Sequence, residues 1–282
     1  MESTVFTNIG DNKVNEDYAE GMNCGSFFVY ALADGLGGHG DGDAASQAAV
    51  KAVLETASQA DRMSPGLLER CFRAAQERVI SEQASRGRRS SMKTTLTVLL
   101  TDKRTAMWGH IGDSRLYRCR NGKVRNRTLD HSVPQMLLNS GRIKESELRH
   151  HEDRAMLLQA LGDPELNNIR SGMDCLGRTV TPKDVFVLCS DGLWEWLEDD
   201  RIAAFACSEE PLEAIAKKMF SEARAAAADA RMDNCTVMIV RTCAYSESLK
   251  ETGLIERVLR RVTAVKKSGF VGLSKTNKKE TT

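Results

Sequence analysis

Six carboxylates stand out for their setting: Glu16, Asp17, Asp34, Asp113, Asp191 and Asp233. Each lies at a strand end or turn close to a glycine or an asparagine, and most adjoin an apolar run. A sheet that brought these strand ends to one edge would crowd like charges, which must then take up protons or be neutralised by cations. The donors are all oxygens, with no matching set of histidines or cysteines, and such a set suits Mg2+ or Mn2+ rather than zinc. A pair of those ions is suited to in-line attack on a phosphoryl group. The residues themselves thus indicate metal-dependent phosphoryl transfer or hydrolysis and leave the substrate open.

The organising stretch is Asp34-Gly35-Leu36-Gly37-Gly38-His39-Gly40. It follows the apolar run Phe27–Leu32, which reads as a buried strand, and precedes a helical run for which Asp43 is the expected cap. The glycines let main chain approach a ligand closely. Gly35 to Gly40 also matches the G-x-G-x-x-G pattern of dinucleotide sites, but no second strand ending in an acid follows about 20 residues on. Asp34 beside the first glycine would also repel a pyrophosphate. A calcium loop of the EF-hand kind fails because Leu36 and Gly38 fall at ligand positions.

Around this stretch the pattern predicts a strand before Gly10 and helices over about 43–61 and 65–86, the second capped by Ser64 with Pro65 at its first position. Strands follow over 94–101, 105–111, 115–119 and 123–128, the last two joined by Asn121-Gly122, a strong hairpin signal. Further helices are expected at Ser132-Val133-Pro134, ending near Gly141, over Arg154–Leu161 and over 211–230, with strands at 185–189 and 235–241. Hairpin-joined strands with helices inserted in pairs make the class α+β.

The chain has 282 residues, 41% of them hydrophobic, and a net charge of +1. That balance suits a globular domain with a substantial core and gives no case for nucleic-acid binding. No run approaches the ~18 apolar residues of a membrane span, and Met1-Glu2-Ser3-Thr4-Val5 does not read as a secretory signal. The 8 cysteines form no Cys-x-x-Cys and read as buried hydrophobes in a reducing compartment, so a cytoplasmic location is expected. Residues 1–243 read as the folded domain and 244–282 as a basic tail, in which 254–267 is amphipathic. That stretch is expected either to contact a membrane surface or a partner, or to dock on this same chain.

In order, the chain carries Asn15-Glu16-Asp17, Asp34-Gly35-Leu36-Gly37-Gly38-His39, Thr94-Thr95, Gly112-Asp113-Ser114-Arg115, Asp130-His131-Ser132, Ala160-Leu161-Gly162, Ser190-Asp191-Gly192-Leu193-Trp194 and Asp233-Asn234-Cys235-Thr236. The ordered set resembles the protein phosphatase 2C family of metal-dependent serine/threonine phosphatases, in its bacterial pattern, over about residues 3–243. The resemblance implies a four-layer α-β-β-α sandwich of two antiparallel sheets flanked by helix pairs, with two divalent metals at one end. Asp34 would bridge both ions. Asp191 and Asp233 would complete the first site, and Glu16 with the main-chain oxygen of Gly35 the second, with Asp17 close behind. Asp113 with Asp191 matches a looser third-metal site, in which Glu195 stands for the family's shorter acid.

Residues 130–161 resemble the flap that borders the substrate groove. The mechanism implied is attack by a metal-bridging hydroxide on phosphoserine or phosphothreonine, and His39 is the candidate acid or phosphate contact. Where the family has a phosphate-binding arginine this chain has Asn12, with Lys13 adjacent and, in a strand, directed to the opposite face. The partners implied are a phosphorylated protein and an opposing serine/threonine kinase in signalling. Two rival readings remain open at this point: a weakly active or non-catalytic phosphoprotein-binding member, and a metal-dependent phosphodiesterase.

Overall fold

Strands buried on both faces lose the usual alternation of polar and apolar residues. Val185-Phe186-Val187-Leu188-Cys189 and Cys235–Arg241 show this pattern, and in the computed structural model each lies between two hydrophobic layers. The structure describes residues 1–36, 41–87, 92–166, 169 and 172–242.

In chain order the strands are β1 Glu2–Asn8, β2 Asp17–Asn23, β3 Phe28–Leu36, β4 Lys93–Thr94, β5 Leu96–Thr101, β6 Thr105–Ile111, β7 Arg115–Arg120, β8 Lys123–Arg127, β9 Asp174–Thr179, β10 Asp184–Cys189 and β11 Cys235–Arg241. The helices are α1 Gly42–Ser58, α2 Pro65–Ser85, α3 Val133–Asn139, α4 Glu145–Leu148, α5 Asp191–Trp194, α6 Asp199–Ala206 and α7 Leu212–Ala227. One sheet runs β1-β11-β10-β7-β8 and the other β2-β3-β5-β6-β9, with β4 beside β3. Every pairing is antiparallel, and the class is α+β as expected.

Period-two alternation builds the layers. In β3, Val29, Ala31 and Ala33 pack with α1 and α2, while Tyr30 and Leu32 face the space between the sheets. In β10, Phe186 and Leu188 fill that same space, while Val185, Val187 and Cys189 pack against α6 and α7. The result is helix pair, sheet, sheet, helix pair. Among the described residues no helix is long and apolar enough to cross a membrane.

Local signals held where the chemistry is local. Ser64 accepts from Leu67 N at 3.1 Å, and Asn121 and Gly122 take φ of +52° and +71° in the β7–β8 hairpin. Two expectations need correction. The helix expected over Arg154–Leu161 does not form, because this backbone pairs across the chain instead: Val133 N to Met156 O, Leu158 N to His131 O, and Leu161 N to Thr94 O. Asp43 is not the cap of α1 but lies in its first turn, and Asp41 at the cap position makes no side-chain cap bond. The amphipathic stretch at 254–267 lies outside the described residues.

Phe186 is fully buried between the sheets, with its ring 6.3 Å from that of Trp108. Phe186→Ala should lower the unfolding free energy by about 3–5 kcal/mol, read as a lower urea midpoint at unchanged slope. An unchanged midpoint would contradict its place in the inter-sheet core.

Candidate metal centre

The two sheets deliver their acidic strand ends to one place. Asp17 opens β2 and stands directly opposite Asp34 in β3 by strand register. Asp191 follows β10 at the start of α5, Asp113 lies in the β6–β7 turn, and Asp233 precedes β11. The charge of Asp34 is felt together with those of Asp17, Asp191, Asp113 and Asp233, so the five sequence-identified aspartates do converge.

Burial and mutual repulsion set their proton affinities. Desolvation, reinforced by the neighbouring aspartates, holds the Asp34 carboxyl well above the ordinary range, and Asp113 likewise. Asp17 is pushed up to about 8 and Asp191 to about 6, burial being the largest cause for both. Glu16 is raised more gently, again chiefly by desolvation.

Hydroxyl and amide groups fix this array. Ser190 Oγ donates to Asp17 Oδ2 at 2.7 Å and accepts from Thr236 N at 2.9 Å. Thr95 Oγ1 accepts from Asp34 N at 2.9 Å, and Thr94 Oγ1 donates to Asp34 O at 2.8 Å. Trp194 Nε1 donates to Asp113 O at 2.9 Å, while its ring stacks on the Arg115 guanidinium 3.5 Å away. Arg115 makes a fully buried two-pronged pair with Asp130, at 2.8 and 2.7 Å. Asn234 Oδ1 accepts from Glu16 N at 2.7 Å, and its Nδ2 donates to Ile9 O and Val14 O. Ser190, Asn234 and Trp194 stood within the quoted motifs, but their positioning roles depend on partners far away in sequence.

Glycine is required where main chains meet. A Cβ on Gly35 would lie 2.2 Å from Gly42 O, so β3 can reach α1 this closely only without a side chain. Glu16 Oε1 then accepts from Gly42 N at 3.2 Å and satisfies an N-terminal helix amide in place of a cap.

The expected phosphate contacts are placed differently from a strand reading. Residues 10–14 form a turn, and Lys13 is exposed there. Asn12 Nδ2 donates to Asp233 Oδ1, and Asn12 Oδ1 accepts from Arg231 at 2.5 Å. His39 lies outside the described residues. Beside Glu195 and Asp191, where the looser third site is expected, Arg154 stands 2.8 Å from Glu195 Oε1 and 3.8 Å from Asp191 Oδ2. Burial raises Glu195 to about 7 against that attraction.

Among the described residues no three His, Cys, Asp or Glu side chains form a ready-made ion cage. The chemistry of the site nevertheless fits divalent cations. Its donors are oxygens, its like charges are buried together, and Asp17 Oδ1 is buried without a hydrogen-bond partner.

The family model for protein phosphatase 2C matches residues 7–235. The serine/threonine protein phosphatase PstP of Mycobacterium tuberculosis (strain ATCC 25618 / H37Rv) is 32% identical over 179 residues, covering 62% of this chain and 33% of that protein. The match thus spans about a third of the mycobacterial protein's length. Protein phosphatase PhpP of Streptococcus pneumoniae (strain ATCC BAA-255 / R6) is 29% identical over 250 residues, 85% of this chain and 97% of that one. The solved catalytic domain of PstP in complex with two manganese ions superposes with a TM-score of 0.70 at 26% identity, covering 84% of this chain and 96% of that one.

The raised carboxyls give a pH dependence of defined sign. In chelator the folded protein keeps a proton on Asp17 up to about 8, whereas the unfolded chain releases it near the ordinary 3.8. That stabilisation is complete below the lower value and is lost as pH rises through the upper one. Urea midpoints of the metal-free protein should therefore fall from about pH 5 to about pH 9, and Asp17→Asn should flatten the decline. A level or rising wild-type profile would contradict the assignment.

Proposed function

We propose, since the chain belongs to the protein phosphatase 2C family, that it hydrolyses phosphoserine and phosphothreonine in proteins with two divalent cations, Mn2+ or Mg2+. The observation that carries this reading is the acidic centre itself, in which Asp17 faces Asp34 across two paired strands and Asp113, Asp191 and Asp233 close round them. Asp34, Asp191 and Asp233 would hold one cation, and Asp34, Glu16 and the main-chain oxygen of Gly35 the other, with Asp17 behind them. Asp113 and Asp191 would offer a weaker third position. Such cations supply Lewis-acid activation of the attacking water and neutralise charge on the phosphoryl oxygens.

The chain's own residues do the positioning. Thr94 and Thr95 pin the Asp34 backbone, and Ser190 occupies one oxygen of Asp17 while the other is buried without a hydrogen-bond partner. Trp194 holds the Asp113 main chain against the buried Arg115–Asp130 pair. The flap over 130–161 is tied down at both ends, by His131 N to Gly112 O and by Leu161 N to Thr94 O. It is therefore set to border a substrate lying over the acidic edge. Its exposed Met136, Met156 and Leu158 offer apolar contacts to the residues flanking a phosphorylated side chain.

The partners we assign are a phosphorylated protein substrate and an opposing serine/threonine kinase, which is a signalling role. The buried, apolar settings of Cys71, Cys119, Cys189 and Cys235 suit a reducing compartment, and we place the protein in the cytoplasm. A second reading, a phosphoprotein-binding member with weak turnover, draws on Asn12 standing where the family has arginine.

Phosphate release from a phosphothreonine peptide decides between the two. The protein should be active with Mn2+ and silent in chelator, and Asp34→Ala should lower the rate about 10³-fold or more. A folded wild-type protein that binds the peptide with Mn2+ or Mg2+ but releases no phosphate would contradict the enzymatic reading and favour the second.

A further inference from the structure

An incoming phosphomonoester is a dianion, and it must approach an edge made almost wholly of carboxylates. A guanidinium answers this well, because its planar fork can meet two phosphoryl oxygens at once. Two arginines stand at the rim of the acidic centre. Arg154 is committed to Glu195 at 2.8 Å and to the neighbourhood of Asp191. Arg231 is different: it is exposed, and its guanidinium donates to a neutral amide, Asn12 Oδ1, at 2.5 Å. Among the described residues it makes no ion pair. Its charge is held in place by that amide, and the Asp11 carboxylate acts on it only through space.

The surrounding loops fix where that charge sits. Arg231 lies two positions before Asp233 in the segment entering β11. This segment is stitched to the turn after β1 by Asp11 N to Met232 O at 2.9 Å and Met232 N to Asp11 Oδ2 at 2.9 Å. Gly10, at φ +61°, lies so close that an added Cβ would meet Asp233 O at 2.3 Å. The nearby acid Asp11 is taken up by Arg224 of α7, at 2.6 and 3.2 Å, which leaves Arg231 to Asn12. Asn12 in turn donates to Asp233 Oδ1, so a single amide spans from the guanidinium to a carboxylate of the centre.

We infer that Arg231, held by Asn12, is the cation that binds the phosphoryl group of the substrate at the rim of this centre. Asn12 is the bracket for a cation supplied by the opposite loop. The inference rests on the phosphatase reading above. It goes beyond that reading by assigning phosphate affinity to a residue outside every motif quoted from the sequence.

The test uses the full chain loaded with Mn2+. It compares wild type with Arg231→Ala and Arg231→Lys in steady-state turnover of a phosphothreonine peptide, in inhibition by inorganic phosphate, and in calorimetric binding of inorganic phosphate. Arg231→Ala should raise KM and weaken phosphate binding about 10- to 100-fold, the range expected for a lost charge-assisted hydrogen bond, while kcat changes little. Arg231→Lys should fall between the two. Because Arg231 is exposed and lies outside the core, both variants should melt with wild type. KM and phosphate affinity within twofold of wild type in Arg231→Ala would overturn the inference and leave the phosphatase reading standing. A wild-type protein that turned over no peptide would overturn the phosphatase reading instead, and phosphate calorimetry would then still decide for or against Arg231.

Discussion

The fold is organised around an unfavourable interaction. Asp17, Asp34, Asp113 and Asp191 are buried close enough together to raise their proton affinities, and the pull of Arg115 on Asp113 and of Arg154 on Asp191 does not offset that. Left ionised, such a group would push its strands apart; left protonated, it would be an inert patch of hydrogen-bonded acids. Much of the surrounding structure serves to hold it in place. Strand register sets Asp17 against Asp34, and paired threonines clamp the Asp34 backbone. Ser190, which follows β10, ties one oxygen of Asp17 to the sheet containing β11. Divalent cations held there would relieve the repulsion, which would make ion binding the counterpart of the fold's principal strain.

A second layer turns that strain into a defined geometry. Arg115 is fully buried between Asp130 and the face of Trp194, joining the start of β7 to the segment after β8 and to α5. A buried pair of this kind is weak evidence for added stability, but removing one partner strands a charge in the interior. Its value here is register: the same Trp194 holds the main chain of Asp113. Asn234 does the corresponding job on the other side, binding Glu16, Ile9 and Val14 from one residue. The acidic edge is therefore braced from two sides, by Arg115 with Trp194 on one and by Asn234 on the other.

The acidic centre was legible because its residues sit at the ends of strands whose burial is written as apolar runs. β10 and β11 are near-continuous in Val, Ile, Leu, Phe and Met, so the sequence pattern alone sets the acids beside them at a sheet edge. Short-range signals were equally readable, as Ser64 and Asn121-Gly122 demonstrate. What was hidden depends on distant partners. Arg154–Leu161 has a helical composition, yet the amides of Leu158 and Leu161 donate to His131 O and Thr94 O, and the Met156 carbonyl accepts from Val133 N. The first turn of α1 is served by Glu16, 26 positions away, rather than by an adjacent acid. Arg231 reaches Asn12 across 219 positions and leaves no periodic trace. Propensity and pattern record what a segment does by itself and are blind to such claims.

The central claim is that the buried carboxylates form a centre for divalent cations, and titration calorimetry of Mn2+ into the metal-free protein tests it most directly. Run near pH 6.5 in buffers of differing ionisation enthalpy, it should show about two equivalents bound, with protons released as the raised carboxyls ionise. Asp34→Asn should abolish most of that binding while leaving the protein folded. Absence of Mn2+ and Mg2+ binding by the folded wild-type chain, or binding unaffected by Asp34→Asn, would contradict the account.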